Sequence, residues 1–169
     1  MSETQLMIAR YGNPLTSPAA RAAFEKKWLV LYEFPAWLLA FFPPYQGQRV
    51  TRQWMNRDVV PAFEATMREL YDTKDATGKR LIQELLTFDG GGNYRAQRDT
   101  NPPIPSIHSW YCAFDFNAEQ MPFRSKVNHF TPAFVAIWKK HGWTWGGDFP
   151  VARQDFMHFQ KTPPAQVAA

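Results

Sequence analysis

Apolar positions recur at helical spacing in three stretches of this chain, and shorter stretches between them cluster or alternate. Ser17-Pro18 reads as an N-cap followed by proline at the first helical position, and Phe24, Trp28 and Leu31 then recur on one side. That pattern predicts a helix over 18–33, ended by Pro35. Ala36 to Phe42 is a short apolar segment closed by Pro43-Pro44 and expected to pack against the domain. A second one-sided stripe, Phe63, Met67, Leu70 and Tyr71, predicts a helix following Pro61, with a polar loop from Asp72 to Gly78. Residues 79–88 fit both periods: Leu81, Leu85 and Phe88 recur as in a helix, whereas Leu86-Thr87-Phe88 alternates as in a strand. Gly90-Gly91-Gly92 reads as a turn, because no Gly-Lys-Ser/Thr sequence accompanies it to cradle a phosphate.

Residues 99–105 form a proline-rich rigid loop, and Trp110 to Phe116 reads as a buried aromatic strand. Thr131-Pro132 starts a third helix with Phe134, Ile137, Trp138 and His141 on one side and Gly142 as its stop. Phe156 to Gln160 reads as a final strand that turns His158 away from Met157 and Phe159. No internal repeat is visible. Helices mixed with short, locally ordered strands predict an α+β fold.

Composition narrows the class. At 169 residues, 45% hydrophobic and 16% aromatic, the chain is long and apolar enough for one folded domain, expected over 1–160 with a disordered tail at 161–169. The net charge of +4 comes without a Lys/Arg block, which argues against nucleic-acid binding but suits a polyanionic surface such as a cell wall. The single cysteine, Cys112, excludes an internal disulfide and a Cys-rich zinc knuckle, and its apolar surroundings predict an inert buried thiol. The opening residues are polar and lack a basic region followed by an apolar run. The most apolar window, Trp28 to Phe42, carries Glu33 and Pro35 and falls short of the roughly 18 residues of a membrane span. A product made in the cytoplasm without a signal peptide is therefore expected.

The candidate chemistry lies in the last third. His108 and Asp115 stand in one cluster, and Asp155 and His158 in another. Hydrolytic zinc takes three protein ligands and leaves one position for water, while a carboxylate outside the ligand set moves the proton. His108, Asp115 and His158 suit the ligand roles, and Asp155 the base. Asp115 between Phe114 and Phe116 is the most informative position, because a carboxylate there is costly to bury unless it is paired or bound to metal. Spacing imposes two conditions. In one straight strand His108 and Asp115 would lie roughly 23 Å apart, so the chain must bend between them. Asp155 and His158 would face opposite ways in a strand, so Asp155 must lie in the turn before it. His129 and His141 are assigned to structure, His141 at a helix C-terminus.

These residues resemble the LAS-type zinc peptidases, which include D-alanyl-D-alanine carboxypeptidases and the L-alanyl–D-glutamate endopeptidases among phage endolysins. The pattern S-x-H-x-x-G-x-A-x-D is met by Ser106, His108, Ala113 and Asp115, with Tyr111 in place of its glycine. The later pattern, Trp-Gly-Gly-Asp followed by acid-x-x-His, is met by Trp145 to Asp148 and by Asp155 and His158. The resemblance is sharp over residues 93–160 and looser before them, where Asn56-Arg57 and the helix after Pro61 resemble the endolysin branch.

The resemblance implies a small antiparallel sheet carrying a zinc site and flanked by helices, as in Hedgehog/D,D-peptidase-like folds. It implies zinc on His108, Asp115 and His158, with Asp155 as catalytic base. It further implies that Arg95, or Arg98 in its stead, meets an oxyanion or a substrate carboxylate. Asp148 and Ser106 are expected behind the ligands, Asp148 either as an acceptor for a ligand imidazole or as part of a structural turn. A bulky Tyr111 is expected to narrow the cleft or shift the strand. The implied activity is that of an L-alanyl–D-glutamate endopeptidase, a monomer acting on peptidoglycan after release from the cell. A D,D-carboxypeptidase or dipeptidase is the alternative within the family, and a non-catalytic zinc module, as the likeness to the Hedgehog signalling domain suggests, the alternative outside it.

Overall fold

The computed structural model describes residues 1–163 as an α+β arrangement of two small antiparallel sheets and five α-helices. The chain opens with α1 (Glu3–Tyr11), which the hydrophobic spacing did not reveal. It begins at a capping box: the Ser2 hydroxyl accepts from Gln5 N, and the Gln5 side chain accepts from Ser2 N. Met7 and Tyr11 face inward, and the Gly12 carbonyl accepts from the buried Trp110 indole at 2.7 Å.

Helix α2 (Pro18–Trp28) starts as expected, with the Ser17 hydroxyl accepting from Ala20 N, but it stops five residues before the predicted end. Leu29-Val-Leu-Tyr-Glu33 instead forms β1, paired in antiparallel register with β2 (Arg52–Asn56) from Leu29↔Asn56 to Glu33↔Arg52. Branched and aromatic side chains suit the pleated surface, and pairing with a distant partner overrides the helical spacing. The short helix α3 (Ala36–Leu39) buries Leu38, and α4 (Val60–Asp72) buries Phe63, Met67 and Leu70 of its predicted stripe together with Thr66, while Tyr71 is half-buried.

The doubly periodic stretch divides: Leu81–Glu84 is one 3-10 turn, and Phe88 opens β3 (Phe88–Gly90). The expected strand over 110–116 is shorter than predicted. A 3-10 turn at Ile107–Trp110 and a left-handed Tyr111 precede β4 (Ala113–Phe116). After α5 (Pro132–Lys140), which Gly142 terminates at φ +83°, come β5 (Thr144–Trp145) and β6 (His158–Gln160). The last strand is also shorter than expected, since Phe156 and Met157 form a turn.

The larger sheet runs in the order β3-β4-β6-β5. Its inner face and the helices share one aromatic core. Phe114 packs against Phe63 with ring centres 4.9 Å apart, and Phe159 stacks on Trp138 at 4.2 Å. Cys112 is fully buried, and burial pushes its thiol pKa well up, so it is an inert thiol. At the end of the described chain, Lys161 N donates to Cys112 O, and its ammonium reaches the His141 and Gly142 carbonyls. The rest of the expected tail, 164–169, lies outside the described residues. Among the described residues no helix is long and apolar enough to cross a membrane.

Candidate metal centre

The bend required between His108 and Asp115 is made at Tyr111. Ser106 begins the 3-10 turn by accepting weakly from His108 N at 3.4 Å, and Tyr111 N donates back to His108 O. Tyr111 then takes φ 58°, ψ 34°, a left-handed conformation, and redirects the chain into β4. The pattern that this stretch resembles has glycine at this position, which suits a left-handed backbone. The bend is also held from the opposite side by the buried Asn56, whose N donates to Tyr111 O and whose side chain donates to Trp110 O. Tyr111 does not narrow the cleft. Its ring lies over Gly92, where a Cβ would come within 2.0 Å of it, and it packs beside Tyr94 and Phe24.

The other half of the site is a cross-strand pair, Asp115 on β4 directly opposite His158 on β6. Asp155 lies in the turn before β6, as the spacing required: its carbonyl accepts from His158 N, and its own N donates to Gly146 O. The Trp145-Gly146-Gly147 run makes that turn possible. A Cβ on Gly146 would meet Asp155 O at 2.2 Å and His158 Cβ at 3.1 Å. A Cβ on Gly147 would strike the Trp145 ring, whose indole donates to Phe156 O.

His108, Asp115 and His158 therefore form a site able to hold a metal ion. His108 Nε2 and His158 Nδ1 are 3.2 Å apart, His108 Nε2 and Asp115 Oδ2 are 3.2 Å apart, and His158 Nδ1 and Asp115 Oδ1 are 2.9 Å apart. Ligands about 2.0–2.1 Å from a tetrahedral zinc ion are separated by roughly 3.3 Å, so this triangle fits one face of such a site. The outer ring nitrogens agree. His108 Nδ1 donates to the Gly91 carbonyl at 2.5 Å, and His158 Nε2 donates to Gln160 Oε1 at 2.8 Å. In the neutral ring each imidazole proton is thus directed outward and the remaining lone pair faces the centre, where either a metal ion or a second ring proton can meet Asp115.

Electrostatics favour a cation at that point. Burial opposes the charge on Asp115, but the two imidazoles outweigh it and hold the carboxyl well below its usual range. Burial likewise opposes a positive His158, yet the hydrogen bond to Asp115 raises its pKa. Asp155 differs. Burial pushes its pKa up to about 6, partly offset by His158, and its Oδ1 is buried without a hydrogen-bond partner. A carboxylate held next to three converging donors without being one of them suits proton transfer.

Other expected residues fall in different places. Arg95 and Arg98 both line the cleft of about 260 Å³ above the donors. The Arg95 backbone is fastened to the turn carrying His108 through Ser109 Oγ and Ser106 N. The Arg98 guanidinium lies over Phe123. Asp148 orients no imidazole: it is exposed and pairs with Lys139 at 2.6 Å. Ser106 touches the His108 backbone, not its ring. His141 pairs with Glu69 at 2.7 Å. The acceptors behind the ligands are Gly91 and Gln160, neither singled out from the sequence. Gln160 was legible as the residue two beyond His158 on the same strand face; a backbone carbonyl leaves no trace in a sequence. Arg153, a third cleft arginine bonded to the Arg98 carbonyl, was also missed.

The fold and site thus define an α+β arrangement in which two imidazoles and one carboxylate converge as a set able to hold a metal ion, with a further acid beside them. Residues 88–161 match the family model described as D-alanyl-D-alanine carboxypeptidase. The matched segment runs from β3 to just past β6 and contains all three donors, Asp155 and the cleft arginines Arg95, Arg98 and Arg153. This supports a peptidoglycan-related peptidase at the level of the family. No curated protein and no solved structure matches the chain.

Proposed function

We propose that this chain is a zinc-dependent peptidoglycan peptidase, an L-alanyl–D-glutamate endopeptidase of the endolysin kind that cuts stem peptides with activated water after release from the cell. The observation that carries this reading is the half-buried Asp155, whose Oδ1 is buried without a hydrogen-bond partner beside the His108–Asp115–His158 triangle. Held by those three side chains, zinc would supply Lewis acidity toward a water and the scissile carbonyl. Asp155 takes the proton from the attacking water and returns it to the leaving amine. Arg95, anchored through its backbone beside His108, meets the developing oxyanion or a substrate carboxylate. Phe149, Met157 and Phe123 line the cleft and limit water around the reacting peptide.

A second reading, a D,D-carboxypeptidase, is favoured by the description of the matching family and by three cleft arginines suited to a terminal carboxylate. A zinc module without catalysis has no use for Asp155. Incubating the zinc-loaded protein with purified cell walls decides between them. New amino termini within the stems support the endopeptidase, and release of free D-alanine supports the carboxypeptidase. Intact stems and cross-links rule out both.

A further inference from the structure

The buried amide of Gln160 links the metal centre to a residue at the other end of the chain. Its Oε1 accepts from His158 Nε2 at 2.8 Å, while its Nε2 donates to Glu3 Oε2 at 2.6 Å. Glu3 opens α1, lies outside the segment that matches the family model, and lines the same cleft. Gln160 is 4% exposed, so its amide has little access to water as an alternative partner.

The chemistry of the three groups is directional. An amide has one donor end and one acceptor end, and a carboxylate can only accept. Glu3 therefore claims the NH2 end of Gln160 and turns its carbonyl toward His158. A carbonyl facing Nε2 requires a proton to sit there, which in the neutral ring, the form that binds a metal, leaves Nδ1 bare toward His108 and Asp115. Without Glu3 the amide can rotate by half a turn. Its NH2 would then face Nε2, favouring the tautomer whose proton sits on Nδ1, in the space between the donors.

We propose that Glu3 is a positioning residue for the metal centre: by orienting the Gln160 amide it selects the His158 tautomer that can bind a metal ion. The inference rests on reading the triangle as a zinc site, not on which peptide bond is cut. It makes α1 a working part of the site and not merely a helix docked on it.

The test is zinc affinity, measured by competition with a chromophoric chelator, alongside the unfolding midpoint of each metal-free variant. Glu3→Gln keeps an acceptor oxygen for Gln160 and is expected to bind zinc within a few-fold of the parent. Glu3→Lys presents only donors, turns the amide over and is expected to weaken binding roughly 10- to 100-fold, the range for losing a partner behind a ligand histidine. The double variant Glu3→Lys/Gln160→Glu places a carboxylate between His158 and the new ammonium, and should recover most of that loss. Rescue of this kind separates orientation of the amide from simple undocking of α1, which the second substitution would not repair. Glu3→Lys binding zinc as tightly as the parent, or a double variant no better than Glu3→Lys, overturns the proposal while leaving the zinc site standing. A parent protein that binds no zinc overturns both.

Discussion

His158 does two jobs with one ring: Nδ1 faces Asp115 and His108, while Nε2 is tied outward to Gln160. His158→Ala should therefore abolish both zinc binding and hydrolysis. Asp155→Ala should keep zinc, since Asp155 is not among the three donors, and lower hydrolysis by about 10²- to 10⁴-fold, the usual contribution of a positioned acid–base group. Zinc titration beside cell-wall digestion separates the two outcomes. Unchanged activity in Asp155→Ala would remove it from the mechanism. Its pH dependence has a definite sign. The base works ionised, so kcat/KM falls as pH drops through its pKa. Burial raises that pKa to about 6 and a bound cation lowers it, so the midpoint of the acid limb should lie at or below about 6. An acid limb centred well above 6 would show that another group controls the rate.

At the scale of elements, the site depends on two sharp changes of direction. One is the turn from β5 into β6, where Gly146 leaves no room for a side chain against the Asp155 carbonyl. Gly146→Ala forces that turn apart at a cost of about 1–3 kcal/mol, typical of overpacking, and displaces base and ligand together. Urea unfolding should show the lost stability, and zinc titration a weakened site. Equal stability and affinity to the parent would mean the turn is slack. The other is the left-handed Tyr111, whose ring covers Gly92. Gly92→Ala should damage zinc binding, and adding Tyr111→Gly should restore much of it by removing the ring while keeping the backbone bend accessible. Much of this level was legible in the chain. The stripe after Pro61 and the Thr131-Pro132 start became α4 and α5, because each carries both a one-sided apolar face and its own start signal. Leu29–Glu33 continued a helical period yet became β1, because its partner Arg52–Asn56 lies too far along the chain for any local pattern to announce. The Ser2-x-x-Gln5 box was a readable start for α1, but that helix has only Met7 and Tyr11 buried, too sparse a stripe to reveal it.

For the whole molecule, the site sits on a sheet whose inner face is the core. Phe114 is the neighbour of Asp115 and packs on Phe63 and Trp143. Phe114→Ala should cost about 3–5 kcal/mol, as large core truncations do, and the loss should appear as a lower urea midpoint. Because the three donors come from two sheet strands and a separate turn, a bound ion staples them together. Zinc at 100 times its dissociation constant should raise stability by about 2.7 kcal/mol, and a chelator should reverse the gain. A thermal midpoint indifferent to zinc would show that the triangle does not hold it.

By itself the sequence singled out the side chains that folding brings together at the cleft. Asp115 and His158 stand out because ionisable groups set among aromatic residues are costly unless they serve one another or an ion, and His108 and Asp155 stand out through the LAS-type pattern they resemble. It also determined that the chain had to bend before Asp115 and turn before His158, since extended backbone cannot bring those groups together. Only the tertiary structure decided what stands behind them. The Gly91 carbonyl, the Gln160 amide and Glu3 come from three separate parts of the chain, and hydrogen bonds between such parts exist only once folding has placed them a few ångströms apart.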